Sequence, residues 1–237
     1  MAYNIDMHLS SSSIFFALIG GIIPSIIWLL FWLREDSKRP EPRGMLMLTF
    51  FAGMVVVPLV IPFQKALQIP GDLTSTFLVW AALEEFFKFG AAYLVAIRQK
   101  EDNEPVDALI YMMTVALGFA AMENAIFIFK PLSQGIVSEG LITGNVRFIG
   151  ASLLHTLSSA MMGIALGLSF YKSKSTKVIS VIAALIIATI LHTAFNLFIM
   201  KEHSGTTFAT FGFVWISIVV LMLFFEKIKN IYAVNNL

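Results

Sequence analysis

The chain has 237 residues, of which 58% are hydrophobic and only 13% are charged, and its formal net charge is +1. Its mean hydropathy of +0.83 excludes an ordinary soluble domain and indicates an integral membrane protein. The absence of cysteine excludes disulfides, thiolate nucleophiles and cysteine-bound metal centres. We expect the lipid bilayer, and no nucleic acid, as the surroundings of this chain.

Apolar runs that are long enough to cross a bilayer recur along the whole sequence. Their approximate limits are residues 12–33, 44–64, 73–98, 107–129, 147–171, 177–200 and 207–226. None of the connections between them is long enough to fold as a separate domain. The sequence therefore predicts an all-α, polytopic transmembrane helix bundle of about seven spans, which forms a single domain over residues 1–237.

Lysine and arginine are distributed unevenly between the two sets of alternate connections. With the N-terminus outside, the outer segments hold only Lys65, Lys130, Arg147 and Lys201. The inner segments hold Arg34, Lys38, Arg39, Arg43, Arg98, Lys100, Lys172, Lys174, Lys177, Lys227 and Lys229. Because cytoplasmic loops are enriched in basic residues, this asymmetry predicts an outer N-terminus and an inner C-terminus. We expect a multi-pass protein of a bacterial plasma membrane.

Three ionisable residues, Glu84, Glu85 and Lys88, lie near the middle of the third predicted span. An Asp or Lys at such a depth costs about 2.5 to 3.5 kcal/mol. Glu84 and Lys88 are one helical turn apart and are predicted to pair. Charges this costly require partners, water or a functional role.

The next three predicted spans each carry further polar residues at a similar depth. Glu123 lies in the fourth span, His155 in the fifth, and His192 and Asn196 in the sixth. In the predicted topology all of them fall in the middle-to-outer half of the bilayer. Convergence of these side chains would place the catalytic core at roughly residues 73–200. A carboxylate there can act as general base and then as general acid, and His or Asn can stabilise an oxyanion, which suits peptide-bond hydrolysis.

Four sequence patterns on these spans resemble the motifs of the PrsW family of intramembrane proteases. The patterns are Glu84-Glu85-x-x-Lys88, Phe119-x-x-x-Glu123, His155 and His192-x-x-x-Asn196. The loop over residues 34–42 is similar to the acidic, proline-containing loop that follows the first helix in that family. The family is grouped with the CAAX prenyl endopeptidases and the bacteriocin-processing enzymes.

The resemblance implies roles for particular residues and a class of substrate. It implies that Glu84 and Glu85 are catalytic, that His192 is essential, and that the site is completed by Glu123, His155 and Asn196, with Lys88 and Phe119 in support. The second motif ends in Glu123, where the CAAX branch has His, which favours PrsW and disfavours prenylated substrates. The implied substrate is a single-pass membrane protein, such as an anti-sigma factor, cleaved at site 1 on its extracytoplasmic side.

Two forms of the chemistry remain open from the sequence. In one, zinc is held by His155, His192 and Glu123 while a second glutamate is the base. In the other, no metal takes part; Glu84 or Glu85 activates water, and His192 and Asn196 bind the oxyanion. The ligands would come from different helices, so no local spacing decides between them.

A different function class also accounts for buried ionisable groups. In a proton- or ion-coupled transporter, the buried Glu and His residues would form a relay. Such transporters carry paired breaks of Gly or Pro in corresponding halves of the chain, and this sequence has no matching pair. A catalytically silent scaffold explains the helices but leaves the buried charges without a role.

Overall fold

The computed structural model describes residues 10–35, 39–200 and 204–235, and within these ranges its regular structure is entirely helical. The helices are α1 (Ser11–Glu35), α2 (Arg43–Ala66), α3 (Leu73–Ala92), α4 (Asp107–Ser133), α5 (Val137–Ile149), α6 (Ala151–Leu168), α7 (Lys174–Met200) and α8 (Ser204–Asn235). A π-helical segment, Tyr93–Ile97, continues α3. The prediction of an all-helical chain is confirmed.

Five stretches of the described residues are long and apolar enough to cross a membrane. They are Ser11–Arg34, Arg43–Ala66, Asp107–Ser133, Val137–Leu168 and Lys174–Phe198. The chain is thus a multi-pass membrane protein. The remaining two predicted spans coincide with α3 and α8, and the total of seven stays a prediction.

The fifth predicted span, residues 147–171, differs from the structure. The helix breaks at Gly150, so that α5 and α6 are separate. The predicted connection before it, residues 130–146, is largely helical, and its turn passes through Gly135 at a φ of +77°. Glycine is favoured in this left-handed backbone conformation because glycine has no Cβ atom. The short α5 was missed because it lies between two breaks.

Helix α4 is the centre of the bundle. Every residue from Asp107 to Ala121 is buried, and α4 packs against α1, α2, α3, α5 and α6. A helix that is apolar all round belongs in a protein interior, and the sequence of α4 has this character. Side chains in this part of α4 are therefore desolvated on every side of the helix.

Glycines allow the neighbouring helices to approach α4 at backbone distance. A Cβ added at Gly118 would lie 1.9 Å from the Phe50 carbonyl oxygen, and one at Gly163 would lie 2.6 Å from the Leu109 Cα. Small residues are the usual means of such close packing between membrane helices. Gly90 on α3 is different, because a Cβ there meets nothing within 4 Å.

The loop between α1 and α2 is fixed to the start of α4. The buried Glu41 accepts a hydrogen bond from the Tyr111 hydroxyl. Arg39 forms a 2.7 Å ion pair with Glu104. Residues 36–38 of this loop lie outside the described part of the chain. The acidic, proline-containing segment noted in the sequence thus has a packing role at the end of the bundle that holds Asp107.

Replacing Gly118 by Ala is expected to destabilise the bundle, since the new methyl group would overlap the α2 backbone. Overpacking of this kind typically costs about 1 to 3 kcal/mol. Thermal unfolding of the purified protein in detergent measures the change. Gly90→Ala is the matched control and is expected to leave stability unchanged or slightly raised. Equal stability of the two variants would contradict the close α2–α4 contact.

Candidate active site

The start of α3 fixes the position of the two adjacent glutamates. Asp72 caps the helix by accepting hydrogen bonds from the Ser75 amide at 3.0 Å and from the Ser75 hydroxyl at 2.6 Å. These hydrogen bonds lower the pKa of the exposed Asp72 carboxyl. Because the cap sets the first turn, Glu84 and Glu85 fall roughly three turns into the helix.

A cavity of about 340 Å³ lies between α2, α3, α4, α6 and α7. Its polar lining includes five of the six predicted catalytic residues, which are Glu84, Glu123, His155, His192 and Asn196. Its apolar walls include Phe77, Trp80, Ile126, Phe127, Leu154 and Phe195. The structure therefore brings together residues that are more than one hundred positions apart in the chain. Their roles remain predictions.

Glu85, the sixth predicted residue, lies behind the cavity and is fully buried. Its carboxylate accepts hydrogen bonds from Lys88 Nζ at 2.8 Å, Ser158 Oγ at 2.9 Å and Ser159 Oγ at 2.7 Å. His192 Nδ1 is a fourth partner, at 3.0 Å. Both carboxylate oxygens therefore have a donor, and the buried side chain presents no surface to a substrate or a water molecule.

Glu84 faces the cavity and has a different environment. Its Oε1 accepts a 2.8 Å hydrogen bond from Gln64 Nε2 on α2. Its Oε2 is buried and has no hydrogen-bond partner among the described residues. The nearest charged or titratable groups to this oxygen are His192 Nε2 at 3.6 Å and Lys88 Nζ at 3.8 Å. A buried carboxylate oxygen without a partner is costly, so this atom points to a function.

Hydrogen-bond partners determine the proton positions on the two histidines. Glu85 accepts from His192 Nδ1, so that nitrogen carries the proton and a neutral ring keeps its lone pair on Nε2. At His155 the arrangement is reversed, because Lys88 Nζ lies 2.9 Å from Nδ1 and an ammonium can only donate. His155 Nε2 then donates to Glu123 Oε2 at 2.9 Å.

Lys88 and Phe119, the predicted supporting residues, contact each other and the His155 ring. Lys88 has no exposed surface, and its Nζ is 4.1 Å from the centre of the Phe119 ring. The Phe119 ring also packs edge-on against the His155 ring, with centroids 5.1 Å apart. The predicted ion pair with Glu84 is present at 3.8 Å, but the closer partner of Lys88 is Glu85.

Two residues that contact carboxylates of the cavity were missed in the sequence. Gln64 holds Glu84 from α2, and Arg147 contacts Glu123 from α5. Gln64 gave a weak signal as a polar residue at the end of an apolar span. Arg147 gave none, because it was counted as an outer flanking charge, and α5, which packs against α4, was not predicted as a separate helix.

Three side chains of the site lie close enough together to surround a metal ion. Ligand atoms of Glu84, His155 and His192 all lie within 4.8 Å of one another. This group contains Glu84 where the sequence suggested Glu123 as the carboxylate ligand. Glu84 Oε2 is free of hydrogen bonds, and His192 donates its other ring nitrogen to a carboxylate, as metal-bound histidines usually do.

The third ligand does not fit. A metal on His155 Nε2 would require the proton on Nδ1, where it would face the Lys88 ammonium at 2.9 Å. Two donors would then point at each other. Catalytic zinc sites have three protein ligands, and the hydrogen bonds here leave only Glu84 and His192 suitably oriented.

The chain matches a known protein family along most of its length. A family model described as PrsW family intramembrane metalloprotease matches residues 41–225, which cover most of the chain. The chain belongs to the PrsW family. It is therefore an intramembrane protease, and the predicted family and enzyme class are confirmed. The grouping with CAAX proteases stays a prediction, and the transporter alternative gains no support.

Bacterial relatives named "Protease PrsW" resemble the chain along most of its length. The protein of Geobacillus kaustophilus is 28% identical over 196 residues, covering 80% of this chain and 83% of the relative. That of Halalkalibacterium halodurans is 25% identical over 227 residues, covering 94% and 99%. The Bacillus subtilis protein is 27% identical over 195 residues, covering 80% and 85%. No solved structure matches the chain.

Replacing Lys88 by Met is expected to destabilise this PrsW-family protein strongly, because Glu85 would lose its nearest cation inside the bundle. Removing one partner of a buried ion pair costs about 3 to 5 kcal/mol. Unfolding by heat in detergent checks the change, with the exposed Lys65→Met as control. A Lys88→Met protein as stable as the control would contradict the buried pair.

Proposed function

We propose that this PrsW-family chain hydrolyses a peptide bond in a membrane-anchored protein with a water molecule activated by Glu84. The observation that carries the proposal is Glu84 Oε2, a buried carboxylate oxygen that lines the cavity without a hydrogen-bond partner among the described residues. An oxygen atom placed about 2.8 Å from both Glu84 Oε2 and His192 Nε2 would have ordinary hydrogen-bond geometry. The 3.6 Å separation of those two atoms leaves room for it.

The reaction uses Glu84 first as a base and then as an acid. Glu84 takes a proton from the water as the water oxygen bonds to the scissile carbonyl carbon, and the carbonyl oxygen becomes an oxyanion. Asn196, which lines the same cavity, supplies a neutral donor for that oxyanion. Glu84 then gives its proton to the amide nitrogen, the C–N bond breaks, and a carboxyl group and an amine are released.

Glu85 acts in this scheme as a positioning residue. It holds the proton of His192 on Nδ1 and thereby directs the Nε2 lone pair towards Glu84. His192 accepts a hydrogen bond from the attacking water in this state, and it donates to the oxyanion only after it becomes protonated. The two adjacent glutamates therefore have different roles, which the hydrogen-bond partners of each support.

No step of the proposed reaction involves a metal. The family is described as a metalloprotease, and zinc would act as a Lewis acid if it were bound by Glu84 and His192. The Lys88 ammonium at His155 Nδ1 is the observation against a third ligand. Glu123 does not belong to the group of ligand atoms that lie within 4.8 Å of one another, and Arg147 and His155 already contact its Oε2.

The proposal includes an orientation and a substrate class. We place the N-terminus outside and the C-terminus inside, with seven spans in one domain and the site in the outer half of the bacterial plasma membrane. This placement is supported by the distribution of Lys and Arg. The substrate would be a single-pass membrane protein such as an anti-sigma factor, cut at site 1 on its extracytoplasmic side.

Measurements of stability and activity together should distinguish the roles of Glu84 and Glu85. Glu84→Gln is expected to lower cleavage of a single-span reporter by about 10² to 10⁴-fold, the usual contribution of a general base. Its stability should be unchanged or higher, because a buried charge is removed while Lys88 keeps its closer partner Glu85. Glu85→Gln should lose both cleavage and about 3 to 5 kcal/mol of stability, because Lys88 loses its closest anion.

Cleavage rates per folded molecule, with folding judged by thermal unfolding, distinguish these outcomes. An active Glu84→Gln protein would overturn the proposed base. A stable but inactive Glu85→Gln protein would instead make Glu85 the residue that takes the proton.

The metal question has its own measurement. Elemental analysis of the purified protein is expected to show no stoichiometric zinc, and cleavage should persist after dialysis against a chelator. Glu84→Gln and His192→Ala proteins should have the same metal content as the original chain. Stoichiometric zinc that is lost in those two variants would show that Lys88 moves away from His155 and that a metal belongs in the mechanism.

A further inference from the structure

Arg147 reaches the candidate site from the last turn of α5. Its Nη2 forms an ion pair with Glu123, and its Nε donates a 2.6 Å hydrogen bond to Asn124 Oδ1. The guanidinium carbon lies 3.9 Å from the centre of the Phe127 ring. All three partners belong to α4. Arg147 also lines the cavity, although only 17% of its side chain is exposed.

The carboxylate that Arg147 contacts is also the one that orients His155. Arg147 Nη2 and His155 Nε2 share a single oxygen, Glu123 Oε2. The glutamate side chain is therefore held from one side by a cation while it accepts the imidazole proton from the other. Without Arg147, Glu123 would be free to change rotamer, and the acceptor for His155 Nε2 would no longer be fixed.

The contacts suit an arginine in particular. A planar guanidinium presents its donors in a rigid fork, and here two of them reach side chains of consecutive residues, Glu123 and Asn124. Asn124 in turn donates to Ser152 Oγ at 3.1 Å, which links the fork to the first turn of α6. A lysine could supply the charge but not the second hydrogen bond in this geometry.

We propose that Arg147 is a positioning residue of the protease, which acts through Glu123 to hold the imidazole ring of His155 in place. His155 then presents its Nδ1 lone pair to Lys88, and the cation that supports Glu85 stays in place. The role rests on the proposed function because orientation of these groups matters only if the cavity is the reaction site. Arg147 contacts no reacting atom in this scheme.

A competing explanation is that Arg147 binds the substrate directly. Such a residue would need donors directed into the cavity, and a variant without them would show mainly a higher KM. The contacts of Arg147 to Glu123 and Asn124 instead use donors for orientation within the protein. A positioning role predicts a lower kcat with little change in KM.

Kinetics of five variants test the proposal. Arg147→Ala is expected to lower kcat by about 10 to 100-fold, the usual loss when a residue that orients a site group is removed. Arg147→Lys should recover part of that loss. The double variant Glu123→Gln with Arg147→Ala should be no slower than Glu123→Gln alone, because Arg147 acts only through Glu123. Lys130→Ala, an exposed cation near the end of α4, is the control and should leave kcat unchanged.

A spectroscopic measurement keeps the test independent of cleavage. The chain has only four histidines, so isotope labelling of their ring nitrogens gives a simple nitrogen NMR spectrum, and His155→Gln assigns the signal of interest. The original chain should show His155 with its proton on Nε2. Arg147→Ala should shift or broaden the Nε2 signal, because its Glu123 acceptor is no longer held, and Lys130→Ala should not.

Each other outcome has a defined meaning. A raised KM with unchanged kcat would make Arg147 a substrate-binding residue, and independent losses in the double variant would give it a role apart from Glu123. An unchanged His155 spectrum in a folded Arg147→Ala protein would overturn the proposal outright. Full activity of Glu84→Gln would remove the proposed function while leaving the spectroscopic result intact.

Discussion

The buried ion pair between Lys88 and Glu85 is the interaction on which the rest of the site depends. Both side chains have no exposed surface, and taking two charges out of water costs several kcal/mol each unless further hydrogen bonds satisfy them. Those hydrogen bonds come from Ser158 and Ser159 on α6 and from His192 on α7. The pair therefore constrains α6 and α7 to pack against α3 with fixed rotation and depth.

The same pair explains why two adjacent glutamates have separate roles. Neighbouring residues on an α-helix point about 100° apart, so a helix that directs Glu85 into the protein must direct Glu84 to a different side. On α3 that side is the cavity. The ammonium of Lys88 lies 2.8 Å from Glu85 and 3.8 Å from Glu84. Glu85 is thus neutralised by direct contact, while Glu84 remains available to a water molecule.

Much of the fold and of the site could be predicted because both follow from apolar length and helical period. The positions of most helices and the convergence of Glu84, Glu123, His155 and His192 needed only the rule that buried polar groups face the bundle interior. The distinction between Glu84 and Glu85 could not be predicted, because it requires the rotation of α3 about its axis. That rotation depends on packing against α6 and α7. The contribution of Arg147 could not be predicted, because it depends on the helix break at Gly150. The apolar pattern of the sequence continues through that residue without interruption.

The two missed residues that contact carboxylates of the cavity share a position in the fold. Gln64 on α2 and Arg147 on α5 lie on helices that carry none of the recognised motifs, yet each contacts a carboxylate of the cavity. In a site with a low dielectric constant, a carboxylate that is held by a hydrogen bond to one oxygen keeps its other oxygen in a fixed direction. Gln64 occupies Glu84 Oε1 and leaves Oε2 to the cavity, and Arg147 fixes the Glu123 oxygen that receives the His155 proton. The motif helices thus supply the ionisable groups of the cavity, while α2 and α5 each hold one oxygen of its two carboxylates.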